Sequence, residues 1–171
     1  MKKVLNLFAG IGGNRKFWKD VKVTAIEYNK IIAETYRDNF PEDEILITDA
    51  LQFLESCNLE EYDFIWFSPP CPTHTMLQMT RGINIPDMTS LYGVITFLKY
   101  KINGENIKWC GENVRPWYKP LIEPTFKLGR HYFWANFNII EKEFHDEKMN
   151  HLSFKQLADR TKTDFKKLCY A

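Results

Sequence analysis

Lys3-Val4-Leu5-Asn6-Leu7-Phe8-Ala9-Gly10-Ile11-Gly12-Gly13 opens the chain with a short apolar run that breaks into glycines. A continuous apolar run of this length reads as a strand buried on both faces, the usual state of a parallel strand. The glycines that follow lack a Cβ, so the backbone there can approach a ligand closely and adopt positive φ angles. Such a turn after a first strand is a common device for nucleotide-like cofactors, although glycines also serve plain tight turns.

Working outward, the next apolar run, Val21-Lys22-Val23-Thr24-Ala25-Ile26, ends in Glu27-Tyr28-Asn29, and a third, Ile45-Leu46-Ile47, ends in Thr48-Asp49. A carboxylate at the carboxyl end of such a strand accepts hydrogen bonds from ribose hydroxyls, and an aromatic beside it can lie against adenine. Either acid alone reads equally as a solvated residue or a helix N-cap. Both together, at the ends of successive strands, favour an adenosine site. Between the strand candidates, residues 31–40, 49–57 and 89–101 carry helical spacing, the first stopping at Pro41 and the second capped by Asp49. Strands separated by helices of this length form parallel crossover units, with ligands at the carboxyl edge of the sheet.

A fourth apolar run, Asp63-Phe64-Ile65-Trp66-Phe67, leads into Ser68-Pro69-Pro70-Cys71-Pro72. Each proline fixes φ and removes a donor, so the loop is held in one geometry, which is how a nucleophile is mounted. A lone cysteine is more often a small buried apolar residue. A further apolar segment, Ile107-Lys108-Trp109-Cys110, ends in Gly111-Glu112-Asn113-Val114.

In this order the blocks resemble the C5-cytosine DNA methyltransferases, particularly the small phage and prophage forms. Asn6-Leu7-Phe8-Ala9-Gly10-Ile11-Gly12-Gly13 is similar to the family's first motif, Glu27-Tyr28-Asn29 to the second, Asp49 to the third and Pro70-Cys71 to the catalytic fourth. Gly111-Glu112-Asn113-Val114 is similar to the sixth and Gly129-Arg130-His131-Tyr132-Phe133 to the eighth. The resemblance spans roughly residues 3 to 137. It implies an α/β, Rossmann-like S-adenosylmethionine-dependent methyltransferase fold: a mostly parallel twisted sheet with helices on both faces.

The resemblance also implies the site. The cofactor, S-adenosylmethionine, falls to Phe8, Ala9, Gly10, Ile11, Gly12, Gly13, Glu27, Tyr28, Asp49, Ala50 and Pro70; catalysis falls to Cys71, Glu112, Asn113 and Arg130. Cytosine C5 is too weak a nucleophile to take a methyl group unaided. Addition of the Cys71 thiolate to C6, with a protonated Glu112 donating to N3, activates C5. Arg130 would hold the pyrimidine carbonyl or support Glu112, and Asn113 would brace the loop. The expected substrate is cytosine in DNA, flipped out of the duplex because a stacked base is out of reach.

Three departures stand out. Asn6 occupies the place of the family's usual aspartate, keeping the shape without the charge. Leu128 sits where a second arginine is usual. Only 41 residues follow Arg130, too few for a separate target-recognition domain, so a second subunit or a homodimer is expected to supply recognition.

Composition agrees with a single catalytic domain over residues 1–171, in which 44% hydrophobic residues can bury one sizeable core. Cys57, Cys71, Cys110 and Cys169 lack short paired spacing and no signal peptide is evident, so free thiols and a cytoplasmic location, bacterial or in a phage-infected host, are the expectation. Neither a membrane span nor a metal site is expected. The formal charge of +1 is unevenly spread: residues 27–63 hold eleven acids and two bases, residues 127–171 nine bases and six acids. Lys99, Lys101, Lys108, Arg115 and Lys119 with the C-terminal lysines offer a backbone-contacting face, or simply solvated helix faces. Residues 81–87 read as an exposed loop able to close over substrate, and 153–158 as a helix capped by Ser153.

Three alternatives follow from the same residues. Ser68-Pro69-Pro70 resembles the amino-methyltransferase loop, but cysteine stands where that loop carries an aromatic. The substrate could instead be RNA or a free nucleotide. A non-catalytic protein keeping the cofactor fold and acting through a partner is the third.

Overall fold

The computed structural model describes residues 1–75, 82, 85–102 and 106–139. Met1–Ile139 forms one compact unit. The expected helix at 153–158, residues 81, 83 and 84 of the expected loop and the C-terminal part of the expected single domain lie outside the described residues.

Among the described residues seven strands form one sheet: β1 (Lys2–Leu7), β2 (Val21–Glu27), β3 (Glu44–Ile47), β4 (Phe64–Phe67), β5 (Lys108–Val114), β6 (Phe126–Leu128) and β7 (His131–Ala135). Their spatial order is β3-β2-β1-β4-β5-β7-β6. The first five are parallel and β7 runs antiparallel to both its neighbours. The order reverses at β1, so the crevice between the carboxyl ends of β1 and β4 is where a ligand is expected to sit. The α-helices α1 (Lys30–Asn39), α2 (Ala50–Ser56) and α3 (Val94–Lys101) alternate with the parallel strands; α3 is entered through a wide π-turn at Thr89–Gly93.

β1 is central because it is apolar on both faces. Leu5 and Leu7 enter a cluster with Leu54 of α2, Ile65 and Phe67 of β4, and Ile95 and Leu98 of α3. Val4 enters another with Val23, Ala25 and Tyr36 of α1. Helices therefore cover both faces, and the apolar runs read as strands acquire the burial that makes them strands.

The hairpin β6–β7 adds two strands beyond the five apolar runs read as strands from the sequence. Its two-residue turn is Gly129-Arg130, with Gly129 at φ +55°, the left-handed geometry that short hairpins use. Arg130 is thereby placed at an exposed tip.

Candidate active site

The glycine turn is built from three glycines with three different circumstances. Phe8, directly after β1, stands at φ +54°, a conformation uncommon for a side-chain-bearing residue, and Gly10 continues the turn at φ +57°. A Cβ on Gly10 would meet nothing, so that position is open toward the crevice. Gly12, at φ +87°, is different: a Cβ there would enter the ring of Phe40, so its glycine serves packing against the end of α1. Gly13 faces open space and has no positive φ.

Glu27 stitches this turn to the next strand end. One carboxylate oxygen accepts from the amide of Gly10 at 3.0 Å and the other from the amide of Asn29 at 2.8 Å. Asn29 then caps α1, its side-chain oxygen accepting from Ile31 and Ile32. Asp49 is both strand-end acid and cap, one oxygen accepting from the amides of Leu51 and Gln52 at 2.9 and 3.0 Å. Each acid retains lone pairs for a ligand, because a carboxylate offers about four acceptor sites.

These elements enclose a cavity of about 530 Å³, within the range of small-molecule sites. Of the residues expected to hold a cofactor, Phe8, Gly10, Glu27, Tyr28, Asp49, Ala50 and Pro70 line it. Ala9, Ile11, Gly12 and Gly13 are not in the lining; Ala9 is buried in the core and the carbonyl of Ile11 accepts from Asn39. Sequence reasoning missed Ile26, Asn29, Ile32, Thr48, Ser68 and Ser90, which also line it. The first four adjoin singled-out residues or lie one helical turn on, and Ser68 stands in the Ser-Pro-Pro loop. Ser90 had no signal, since it arrives from the distant start of the third helical segment.

Asn6 does not reach this cavity. It is fully buried and accepts from Asn14 Nδ2 at 2.8 Å, above a cluster in which Asp43 takes a forked pair from Arg15 and a hydrogen bond from Tyr36. A neutral amide suits that place, because Asn6 and Asp43 share the Tyr36 hydroxyl and a second carboxylate there would add a like charge to the cluster.

Beyond Pro70 the loop delivers Cys71. Burial pushes its thiol pKa up and the nearby Glu112 adds to the rise, against a hydrogen bond from its own backbone. Cys110, buried in β5, is pushed up to about 12 by burial and is inert by comparison. Among the described residues Cys57, Cys71 and Cys110 are free thiols.

Glu112 is set beside the cysteine by a close strand approach. Gly111 pairs with Phe67 across β5 and β4, and a Cβ on Gly111 would enter the Phe67 ring. Burial raises the Glu112 pKa, favouring its protonated form. His131 opposes this, its Nε2 lying 3.8 Å from Oε1 of Glu112. Asn113, buried, donates from Nδ2 to the carbonyl of Pro69 at 3.0 Å.

Arg130 is placed otherwise. Its side chain is exposed at the hairpin tip and makes no ion pair among the described residues, while its carbonyl accepts from the Arg115 amide at 2.7 Å. The neighbouring His131 faces Glu112 instead. The register that pairs His131 with Val114, diagonal to Glu112, decides this, and no periodicity announced it.

A glycine turn, two strand-end acids, a proline-held cysteine and a half-buried acid therefore meet at one sheet edge, and the profile of the C-5 cytosine-specific DNA methylases matches residues 2–101. The chain belongs to that family. Its members draw their methyl group from S-adenosylmethionine, and the cavity at the β1 switch point has the size, the open Gly10 backbone and the paired acids to hold it. Among curated relatives, the chain is 29% identical over 106 residues to the tRNA (cytosine(38)-C(5))-methyltransferase of Mus musculus, covering 56% of this chain and 25% of that protein. It is 28% identical over 130 residues to the enzyme of the same name from Spodoptera frugiperda, covering 72% and 39%. The chain thus spans between about a quarter and two fifths of these relatives' lengths. A solved structure of a hypothetical protein from Thermus thermophilus shares the fold, with TM-score 0.52 at 13% identity over 78% of this chain and 73% of that one.

Among the described residues no helix is long and apolar enough to cross a membrane, and no group of three His, Cys, Asp or Glu side chains gathers to hold a metal ion.

Proposed function

We propose that this domain methylates C5 of cytosine in a nucleic acid through a covalent bond between Cys71 Sγ and C6. The observation that carries the reading is that Cys71, in the loop after β4, lies near Glu112 of the adjacent strand β5, beside a cavity whose rim includes Pro70. When bound, S-adenosylmethionine supplies the electrophilic methyl group. Glu27 and Asp49 would accept from its ribose, and the exposed ring of Tyr28 would be free to lie against its adenine.

Glu112, held toward its protonated form by burial, donates to N3 of the base and withdraws electrons from the ring. Protonation also removes the negative charge that raises the Cys71 pKa, so the thiolate forms more readily when Glu112 is acidic. Sγ adds to C6 and C5 takes the methyl while the departing thioether keeps the sulfonium bond pair; a water molecule then removes the C5 proton, its electrons restore the C5–C6 double bond as the S–C6 pair returns to sulfur, and the N3 proton goes back to Glu112. Asn113 holds the loop through Pro69, and Arg130, exposed beside the site, contacts the base or its phosphate.

The family's description favours DNA as the polymer, with the cytosine flipped out of the helix. The printed names of the curated relatives favour an RNA substrate as a second reading. Recognition of the target is assigned to a second subunit, a second copy or chain outside the described residues.

The test is adduct trapping. Incubation with S-adenosylmethionine and 5-fluorocytosine-containing DNA or RNA should leave a covalent complex, since fluorine at C5 cannot leave as a proton. Mass spectrometry should place it on Cys71 and Cys71→Ser should abolish it. An adduct that persists in Cys71→Ser, or none with either polymer, defeats the reading.

A further inference from the structure

Immediately after the nucleophile, the loop buries an imidazole. His74 is fully enclosed, and its Nδ1 is hydrogen-bonded to the Tyr118 hydroxyl at 2.6 Å. A buried imidazole is costly unless partnered, and among the described residues its Nε2 makes no hydrogen bond within ordinary geometry, the backbone of Asp87 being near enough only to favour its charged form against the desolvation that lowers its pKa. An apolar residue would fill the same space more cheaply, so the polar contact needs a reason.

The surrounding bonds supply one. The His74 amide donates to the Cys71 carbonyl at 3.0 Å, closing the tight turn that begins at the nucleophile. Trp117 donates from its amide to the His74 carbonyl and from its indole nitrogen to the Thr73 carbonyl, each at 3.2 Å. Asn113 donates to Pro69 on the other side of Cys71. Residues 69–74 are thus gripped on both flanks, by Asn113 near the end of β5 and by Trp117 and Tyr118 in the segment that leaves the sheet after Val114. The rings of His74, Tyr118, Tyr92 and Trp134 form a continuous aromatic path from the loop to β7.

We propose that the His74–Tyr118 pair is a clamp that fixes Cys71 relative to Glu112, making His74 and Tyr118 positioning residues for the reaction. The role rests on the proposed methyl transfer, but the geometry it asserts can be tested without any nucleic acid. The upstream contact, from Asn113, acts on a proline-rigid segment; the downstream segment has only Pro72 and therefore depends more on side-chain contacts.

The experiment measures alkylation of Cys71 by iodoacetamide, read by mass spectrometry, in the wild type, Tyr118→Phe, His74→Leu and His74→Asn. Tyr118→Phe removes one oxygen and is the variant on which the test turns if His74→Leu fails to fold. In Tyr118→Phe and His74→Leu, Cys71 should react about fivefold faster, the change expected for loss of one net hydrogen bond. Cys57, at the C-terminal end of α2, should keep its wild-type rate, and S-adenosylmethionine affinity by calorimetry should be unchanged. His74→Asn offers an oxygen or an amide N–H near the place of Nδ1 and should restore the protected rate to within about twofold. An unchanged Cys71 rate in Tyr118→Phe overturns the clamp, as does a parallel rise at Cys57, which would mark general loosening. Failure of the wild type to form a 5-fluorocytosine adduct would defeat the methylation reading and leave this comparison intact.

Discussion

The side-chain amide of Asn113 donates across 3.0 Å to the carbonyl of Pro69, joining the end of β5 to the loop that carries the cysteine. Its side-chain oxygen accepts from the amide of Val114 at 2.8 Å, so the buried amide is used at both ends. Asn113→Ala leaves the Pro69 carbonyl without this partner and should cost about 1–3 kcal/mol of stability. Urea denaturation measures it; a change below about 0.5 kcal/mol would show that the contact is incidental.

Glu27 organises the cofactor cavity through two backbone amides, Gly10 and Asn29. Glu27→Ala should weaken S-adenosylmethionine binding by about 1.5–3 kcal/mol, the range for charge-assisted hydrogen bonds. Calorimetric titration checks it, and an unchanged dissociation constant would remove Glu27 from the cofactor site.

Glu112 carries a pH signature. Its folded-state pKa is raised by burial above the unfolded value, so ionising it costs more in the fold than in the open chain. That cost is absent below the unfolded pKa, grows as pH rises through the window and is complete above the raised value. Glu112→Gln removes it and should raise the thermal midpoint at pH 8 by about 2–4 °C, or about 1 kcal/mol for a chain of this size. The two midpoints should converge toward acid pH; equal midpoints at pH 8 would show that the carboxylate is not penalised there.

Gly111 allows β4 and β5 to approach because the Phe67 ring occupies the place of its missing Cβ. Gly111→Ala should destabilise by about 1–3 kcal/mol through overpacking. The displaced ring closes β4 directly before the Cys71 loop and packs on the residue preceding Glu112, so Cys71 trapping should fall as well. Scanning calorimetry with the trapping assay reads both, and a neutral substitution would mean that Phe67 has room to turn aside.

Arg115 and Lys119 follow Glu112 as exposed bases, and Lys127 and Arg130 flank them from the hairpin. Binding of duplex DNA or RNA by this domain alone should lie near the non-specific range of about 10⁻⁴ to 10⁻⁶ M and weaken steeply with salt. Arg115→Ala should weaken it uniformly across sequences and lower the salt slope by about 1. Anisotropy titrations at two salt concentrations decide it; nanomolar, salt-tolerant binding to one sequence would show base readout within these residues.

The parallel half of the fold was legible in the chain because its signals are local. Unbroken apolar runs can be satisfied only by burial on both faces, and a glycine, a proline loop or a strand-end acid closes each of them. The glycine turn, Glu27, Asp49, Cys71 and Glu112 all follow such runs directly, so a parallel sheet brings them to one edge whatever the details. Tertiary structure decided what each then touches. Gly10 and Gly12 look alike in sequence, yet one opens on a cavity and the other packs on Phe40, which arrives from the end of α1. Arg130 and His131 are neighbours, and only the antiparallel register of β7 against β5 turns the histidine to Glu112 and leaves the arginine at the tip. His74 and Tyr118 lie 44 residues apart and meet because β4 and β5 are adjacent strands. Hydrophobic periodicity reports which face is buried; it carries no information on which distant side chain waits there, and that pairing is set by strand register and packing.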